Sequence, residues 1–572
     1  MTATIPDSEN HAEQDPVEFW HSLAQDRFLD ESHTDIDEMD RDMAGLAEAL
    51  RLGRARRNRM TLASRIPPEI LAVVFEFVKQ ESFGEYEDMG DKDRGNGEVE
   101  ESKVKVMGWI TFSHICQRWR EVALSTPGLW REVKFSHTGP KWAYEMVQRS
   151  KAAPLHVELG SGQHANPYWP SEEVLNFTKH ILRTQPDRIR TFTIFGEDIA
   201  PLAAQLISHD PFPSVKFLHI ENTSSEAIMS LSFNVLANRV PQAQELCVIG
   251  VLFESAPSAP LEHLTYFDLQ ITDVNISESI YQWNLLEILE SMPALQHLYI
   301  TDAYPANFPS SKREPVALAK PLETLTLTAR RFPAEMARFS EFLDHPTTFR
   351  DFDFSDAEPE VITQVLTRHV GTEHPPRSIY LELDHAQDKV IFSASFSVWP
   401  TSEDGNTPTP LNDVSLTVSG LEKHADAFIK AIHFREVQDL TFMDDDEEHA
   451  PARWTGFASA SATRRLRVIG PAAHALFDIL ATPPDESMPD HVGNMFPAVE
   501  ALSIIEMPEQ APVMGEGVLR EADRLLAAVS ARRERGKPIK DLKVPDRLVE
   551  GEWLDPIRQH VEKTGGSRPR FY

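Results

Sequence analysis

The residues with the strongest claim to chemistry are Leu155-His156-Val157-Glu158-Leu159-Gly160-Ser161-Gly162-Gln163-His164-Ala165, an alternating run that opens into G-x-G-x-x-A. In a dinucleotide site such glycines let the backbone approach a pyrophosphate held at the start of the helix that follows directly. Here Asn166-Pro167-Tyr168-Trp169-Pro170 follows, and its prolines cannot continue as that helix. The stretch therefore reads as a strand and the loop after it. A second candidate, Asp444-Asp445-Asp446-Glu447-Glu448-His449, offers carboxylates to a hard cation. It lacks the spaced ligands and turn glycine of a calcium loop and reads as a solvated loop. The sequence has no G-x-S-x-G, H-E-x-x-H, phosphate-binding loop or C-x-x-C, and its histidines are scattered. Cys116 and Cys247 are its two cysteines, too few for a disulfide framework or a four-cysteine zinc site. The expectation is a chain with no catalytic residues, no metal and no cofactor, that is, not an enzyme.

Charge narrows the partners. The 572 residues carry 56 basic and 89 acidic side chains, a formal net charge of -33. Such a field repels nucleic-acid phosphate and anionic lipid. The one basic run, Arg51-Leu52-Gly53-Arg54-Ala55-Arg56-Arg57-Asn58-Arg59, reads as the C-terminal end of a helix, where cations suit the dipole, in preference to a nuclear-import or nucleic-acid patch. The opening residues are polar and acidic, without the pattern of a signal peptide. No apolar run approaches the roughly 18 residues of a membrane span. The expected setting is cytoplasmic or nuclear, with no nucleic acid and no membrane as partner.

The elements that position side chains follow from periodicity. Residues 1–34 show no sustained period and read as disordered. Ile36, Met39, Met43, Leu46 and Leu50 are spaced 3,4,3,4, the apolar stripe of a short helix over 35–60, expected to lie on its own domain. Residues 81–105 are rich in Glu, Asp, Gly and Lys and read as an exposed acidic loop. Phe112, Ile115, Cys116, Trp119, Val122 and Ala123 share one face of a helix, which Pro127-Gly128 ends. Beyond residue 150 the rhythm changes. Short alternating segments recur with an apolar residue at positions 1, 4 and 6, as in Val215/Leu218/Ile220, Leu295/Leu298/Ile300, Leu322/Leu325/Leu327, Val437/Leu440/Phe442 and Val499/Leu502/Ile504. Helical patterns lie between them, so strand and helix alternate about every 20–40 residues. The fold class is α/β: a small helical unit, then an irregular leucine-rich-repeat-like solenoid over 150–555 with a curved parallel sheet, and a C-terminal tail over 556–572. A doubly wound sheet shares the alternation but not the recurring frame.

One helix is apolar nearly all round: Arg65-Ile66-Pro67-Pro68-Glu69-Ile70-Leu71-Ala72-Val73-Val74-Phe75-Glu76-Phe77-Val78. Pro68 suits the first turn, where its missing N–H has no helical partner, and Glu69 suits the positive end of the dipole. Leu71, Val74, Phe75 and Val78 form one stripe, and Ile70, Val73 and Phe77 another. One can face its own domain; the other needs a cover, either a partner protein or the rest of the chain.

The order Ile66-Pro67-Pro68-Glu69-Ile70-Leu71, Val74-Phe75, Ile115-Cys116-Gln117-Arg118-Trp119-Arg120 and Pro127-Gly128-Leu129-Trp130 resembles an F-box. The chain is similar to the F-box proteins expanded in mushroom-forming fungi, with an F-box-like domain over 61–140. Ile66 stands where that pattern has Leu, and the acidic insertion separates the first two helices. The resemblance implies a non-catalytic substrate receptor of a cullin-RING ubiquitin ligase. Ile66, Pro67, Pro68, Glu69, Ile70, Leu71, Val74, Cys116 and Trp119 would engage the Skp adaptor, and the repeats would hold a substrate protein. The alternative is an interaction scaffold outside any ligase.

Overall fold

The computed structural model describes residues 15–29, 35–84, 108–160, 172–197, 199–208, 211–224, 229–254, 258, 260–271, 285–304, 322–343, 349–355, 357–370, 375–396, 414–444, 453–470, 472–483, 495–505, 516–545, 549 and 552–567. They fall into two compact units, Met1–Val133 with Lys141–Ala153, and Lys134–Pro140 with Pro154–Tyr572. The helical unit thus runs on to Ala153, with Lys134–Pro140 assigned to the larger one. Of the acidic loop expected over 81–105, residues 81–84 instead continue a helix, and the rest lies outside the described residues, as do the residues after Gly160 in the glycine motif and Asp445 to His449.

The smaller unit is helical. Helix α1 (Pro16–Phe28) stands within the stretch expected to be disordered. Asp15 supplies its cap, accepting from the Val17 amide at 3.0 Å, and Pro16 opens it; these start signals outweigh the missing period. Helix α2 (Ile36–Arg59) is capped by Asp35 and ends in the basic run, as read from charge. Helix α3 spans Pro68–Gly84. The single helix expected across Phe112 to Ala123 is broken. Helix α4 (Phe112–Ile115) stops at Cys116, whose extended backbone (φ -158°, ψ 166°) forms the N-cap of α5 (Gln117–Ser125). Ile115 is consequently exposed, while Val122 and Ala123 stay buried. Leu71, Phe75, Trp109, Val122, Leu129 and Trp130 make the core. Trp130 Nε1 donates to the Ala123 carbonyl at 2.8 Å, which seats the Pro127–Trp130 turn.

Among the described residues the chain forms a mostly parallel sheet of 17 strands, nearly all of it in the larger unit, which is mixed α/β. In chain order these are β1 (Glu132–Lys134), β2 (Leu155–Gly160), β3 (Ile189–Gly196), β4 (Phe217–Asn222), β5 (Glu245–Ile249), β6 (Tyr266–Gln270), β7 (His297–Thr301), β8 (Thr324–Ala329) and β9 (Phe349–Phe354). They continue as β10 (Ser378–Asp384), β11 (Lys389–Ser395), β12 (Val414–Ser419), β13 (Asp439–Asp444), β14 (Arg465–Ile469), β15 (Ala501–Ile505), β16 (Asp541–Pro545) and β17 (Lys563–Ser567). From β2 to β9 each strand pairs in parallel with the next in the chain. The order then inverts. Strand β9 pairs with β12, β12 with the antiparallel β11, β11 with β10, and β10 with β13. In-order parallel pairing resumes through β17, so the expected C-terminal tail over 556–572 contributes Lys563–Ser567 to the sheet.

The 1-4-6 frame has a simple cause. Its first residue, such as Val215, Leu295, Leu322 or Val437, is buried just before the strand begins, and its fourth and sixth fill the inward face of the pleat. At 499–505 the frame shifts: Ile505 takes the inward place expected for Ile504. The helices between strands bury the complementary stripe, as with Val174, Phe177, Ile181 and Leu182 on Glu172–Thr184. Among the described residues no helix is long and apolar enough to cross a membrane.

Candidate functional site

On α3 the apolar side chains divide sharply. Leu71 and Phe75 are fully buried, with Lys79 one turn further on at 1% exposure. Phe75 stacks on Phe112 at 4.7 Å between ring centres and leans on Trp119 at 5.3 Å. On the other side Ile70, Val73, Val74, Phe77 and Val78 are 55, 50, 40, 63 and 40% exposed. Their spacing of i, i+3, i+4, i+7 and i+8 puts them on one continuous stripe. Two apolar stripes were expected, but Val74 and Val78 lie on the outer one. Leu71, which the resemblance carried to the adaptor surface, is turned inward, because its position falls one helical repeat before Phe75.

The chain entering α3 is held in place. Arg118 Nη2 donates to the Ile66 carbonyl at 2.7 Å, and the Leu71 amide donates to the Pro67 carbonyl at 2.9 Å. Pro67, Pro68, Glu69 and Ile70 are exposed, while Ile66, Cys116 and Trp119 are half-buried. The outer stripe therefore starts from a fixed N-terminal edge. Val73, Phe77, Val78 and Ile115 belong to the exposed apolar surface and were not among the residues carried over; Phe77 and Val73 were legible in the second stripe.

Lys79 is the unforeseen residue. It stands at i+8 from Leu71, in register with the buried stripe. Its Nζ donates to the Leu129 carbonyl at 3.1 Å, pairs with Glu132 at 3.3 Å and lies 5.5 Å from the centre of the Trp109 ring. Burial holds its ammonium pKa below the ordinary lysine range, with Glu132 opposing the shift.

The second surface is the less buried face of the sheet. One row of positions runs straight across the ladder: Thr193, His219, Cys247, Asp268, Tyr299, Thr326, Asp351, Ser415, Ser393, Tyr380, Thr441, Arg467, Ser503 and Lys543. Every member carries a heteroatom, whereas the alternate positions fill the core. Around Asp268 the Tyr266 and Tyr299 rings lie 5.1 Å apart. Asp268 accepts from Gln270 Nε2 at 3.1 Å, and burial holds its carboxyl above the usual carboxylate range. Burial and the Asp268 charge together push the Cys247 thiol up, its Sγ 3.7 Å from that carboxylate. A thiol so raised stays protonated and is no nucleophile at neutral pH. The other end of the sheet is richer in cations. There a cleft of about 360 Å³ is bordered by Asp439, Arg464, Arg465, Glu500, Lys540 and Asp541. Arg465 pairs with Asp439, and Lys540 with Glu500 at 3.2 Å. Among the described residues no three His, Cys, Asp or Glu side chains are grouped to hold a metal ion.

Compared with known proteins, the chain matches no protein-family model and no curated protein.

Proposed function

We propose that this chain is an F-box substrate receptor: it binds the Skp adaptor of a cullin-RING ubiquitin ligase through α3 and its neighbours, and a substrate protein through the sheet-bearing unit. The observation that carries the reading is the outer stripe of α3. Five apolar side chains at helical spacing face away from the unit's core, directly after the Pro67-Pro68-Glu69 entry. A helical unit this small does not spend such a face on solvent without a partner. The in-order parallel strands support a leucine-rich-repeat-like solenoid, and its polar face offers side chains from many strands to an extended cargo. In this role the chain performs no bond chemistry. It raises the effective concentration of cargo beside the ubiquitin carrier.

The test is binding of the full chain to purified Skp adaptor, with Ile70→Asp and Phe77→Asp as probes. Both sites are exposed, so the helical unit should stay folded while adaptor binding is lost. Adaptor binding unchanged in both variants would refute this interface. No binding by the wild-type chain would favour a scaffold outside any ligase.

A further inference from the structure

A different helix carries a conclusion beyond that reading. Helix α2 is 24 residues long and buries none of them. Of its stripe at 3,4 spacing Met39 is half-buried, but the other four stand in the open: Ile36, Met43, Leu46 and Leu50 are 78, 50, 47 and 53% exposed. Helix α1 is tied to it by Arg27, which pairs with Asp42 at 2.5 Å and Glu38 at 3.6 Å. Yet α1 leaves its own Val17, Trp20 and Leu23 exposed and does not cover the stripe. The expectation that α2 packs on its own domain thus fails among the described residues.

The charges along α2 say what covers it. The first half holds Asp37, Glu38, Asp40 and Asp42 against Arg41; the second holds Arg51, Arg54, Arg56, Arg57 and Arg59 against Glu48. The helix dipole accounts for cations in the last turn only, and Arg51 and Arg54 lie further in. Arg51 is held by Glu48 at 2.6 Å. Among the described residues Arg54, Arg56, Arg57 and Arg59 have no ion pair. A parallel pairing of two such helices sets like charges side by side. An antiparallel pairing lays the acidic half of each along the basic half of the other while the apolar stripes meet.

We propose that α2 is a self-association helix, joining two copies of this chain as an antiparallel pair through Met43, Leu46 and Leu50. The stripe is only about two heptads long, so the dimer is a reversible one, and its flanking charges make it sensitive to salt.

The experiment is sedimentation equilibrium on the full chain at low and high salt. A concentration-dependent dimer that weakens in salt is expected. Leu46→Asp with Leu50→Asp should weaken it about tenfold or more, with an unchanged far-ultraviolet spectrum because both side chains are exposed. Replacing Arg54, Arg56, Arg57 and Arg59 by Glu should give a monomer. Mixing it with a variant whose Asp37, Glu38, Asp40 and Asp42 are Lys should restore the dimer. For the sense of pairing, Ala47→Cys near the middle should cross-link under mild oxidation and Arg59→Cys should not. A wild-type chain monomeric at every concentration would overturn the proposal, as would a dimer indifferent to the Leu46 and Leu50 substitutions. Efficient cross-linking through Arg59→Cys would overturn the antiparallel sense.

Discussion

His369 makes the larger unit acid-sensitive at a defined place. It ends the helix Pro359–His369, which connects β9 to β10. Its ring is 8% exposed, lies 4.8 Å from that of Phe352, and sets Nε2 at 3.3 Å from Ser340 Oγ. Burial first, and the Arg350 and Arg368 charges after it, push its pKa down to about 3. An unfolded histidine titrates near 6.5. As pH falls below that value the opened state takes up a proton that the closed state refuses, so stability is complete above it and declines toward pH 3. By pH 4.5 the loss is roughly 2–3 kcal/mol, about two pH units at about 1.4 kcal/mol each. His369→Leu removes the titration at similar volume. Ser340 is not orphaned by it, since its hydroxyl also donates to the Ala337 carbonyl at 2.6 Å. Asp268 and Asp351, both raised by burial, work the other way, since their protonation in acid favours the fold. The difference between wild type and variant cancels them. Hydrogen exchange over residues 349–370, corrected for intrinsic rates, reads the local opening. Wild type should lose protection between pH 7 and 4.5, and His369→Leu should lose roughly 2–3 kcal/mol less of it. Equal losses in both proteins would refute the assignment of the acid response to this ring.

Other expectations are as direct. Leu71→Ala should destabilise the helical unit by about 2–5 kcal/mol, whereas Phe77→Asp should change it by roughly 0.5 kcal/mol or less; equal melting shifts would contradict the inward and outward assignment. Arg453 and Asp444 form a buried pair at 2.8 Å. Arg453→Met alone should cost about 3–5 kcal/mol, with much of it recovered in the double variant Arg453→Met/Asp444→Asn; denaturation of the two proteins tests this. At Gly456 a Cβ would come 2.0 Å from Ile429 Cγ2. Gly456→Ala should therefore lower stability by about 1–3 kcal/mol, and an unchanged melting temperature would show that Ile429 can yield.

What the sequence determined was local. Period-two apolar runs such as Val215/Leu218/Ile220 and Leu322/Leu325/Leu327 fixed strands, because only one face of each can be buried. Proline and acidic residues marked the start of α3, since its first amides have no helical partners. Tertiary structure decided matters that depend on distant residues. The reversed strand Lys389–Ser395 and the inverted order of β10 to β12 rest on pairings that no local period encodes. The inward turn of Phe75 depended on where Phe112 and Trp119 came to rest, since an apolar helix has no intrinsic inside. Lys79 could be buried only because the Leu129 carbonyl, Glu132 and the Trp109 ring converge on it from outside its own helix. Desolvating an ammonium is tolerable where such partners replace water, and their convergence is a property of the fold alone.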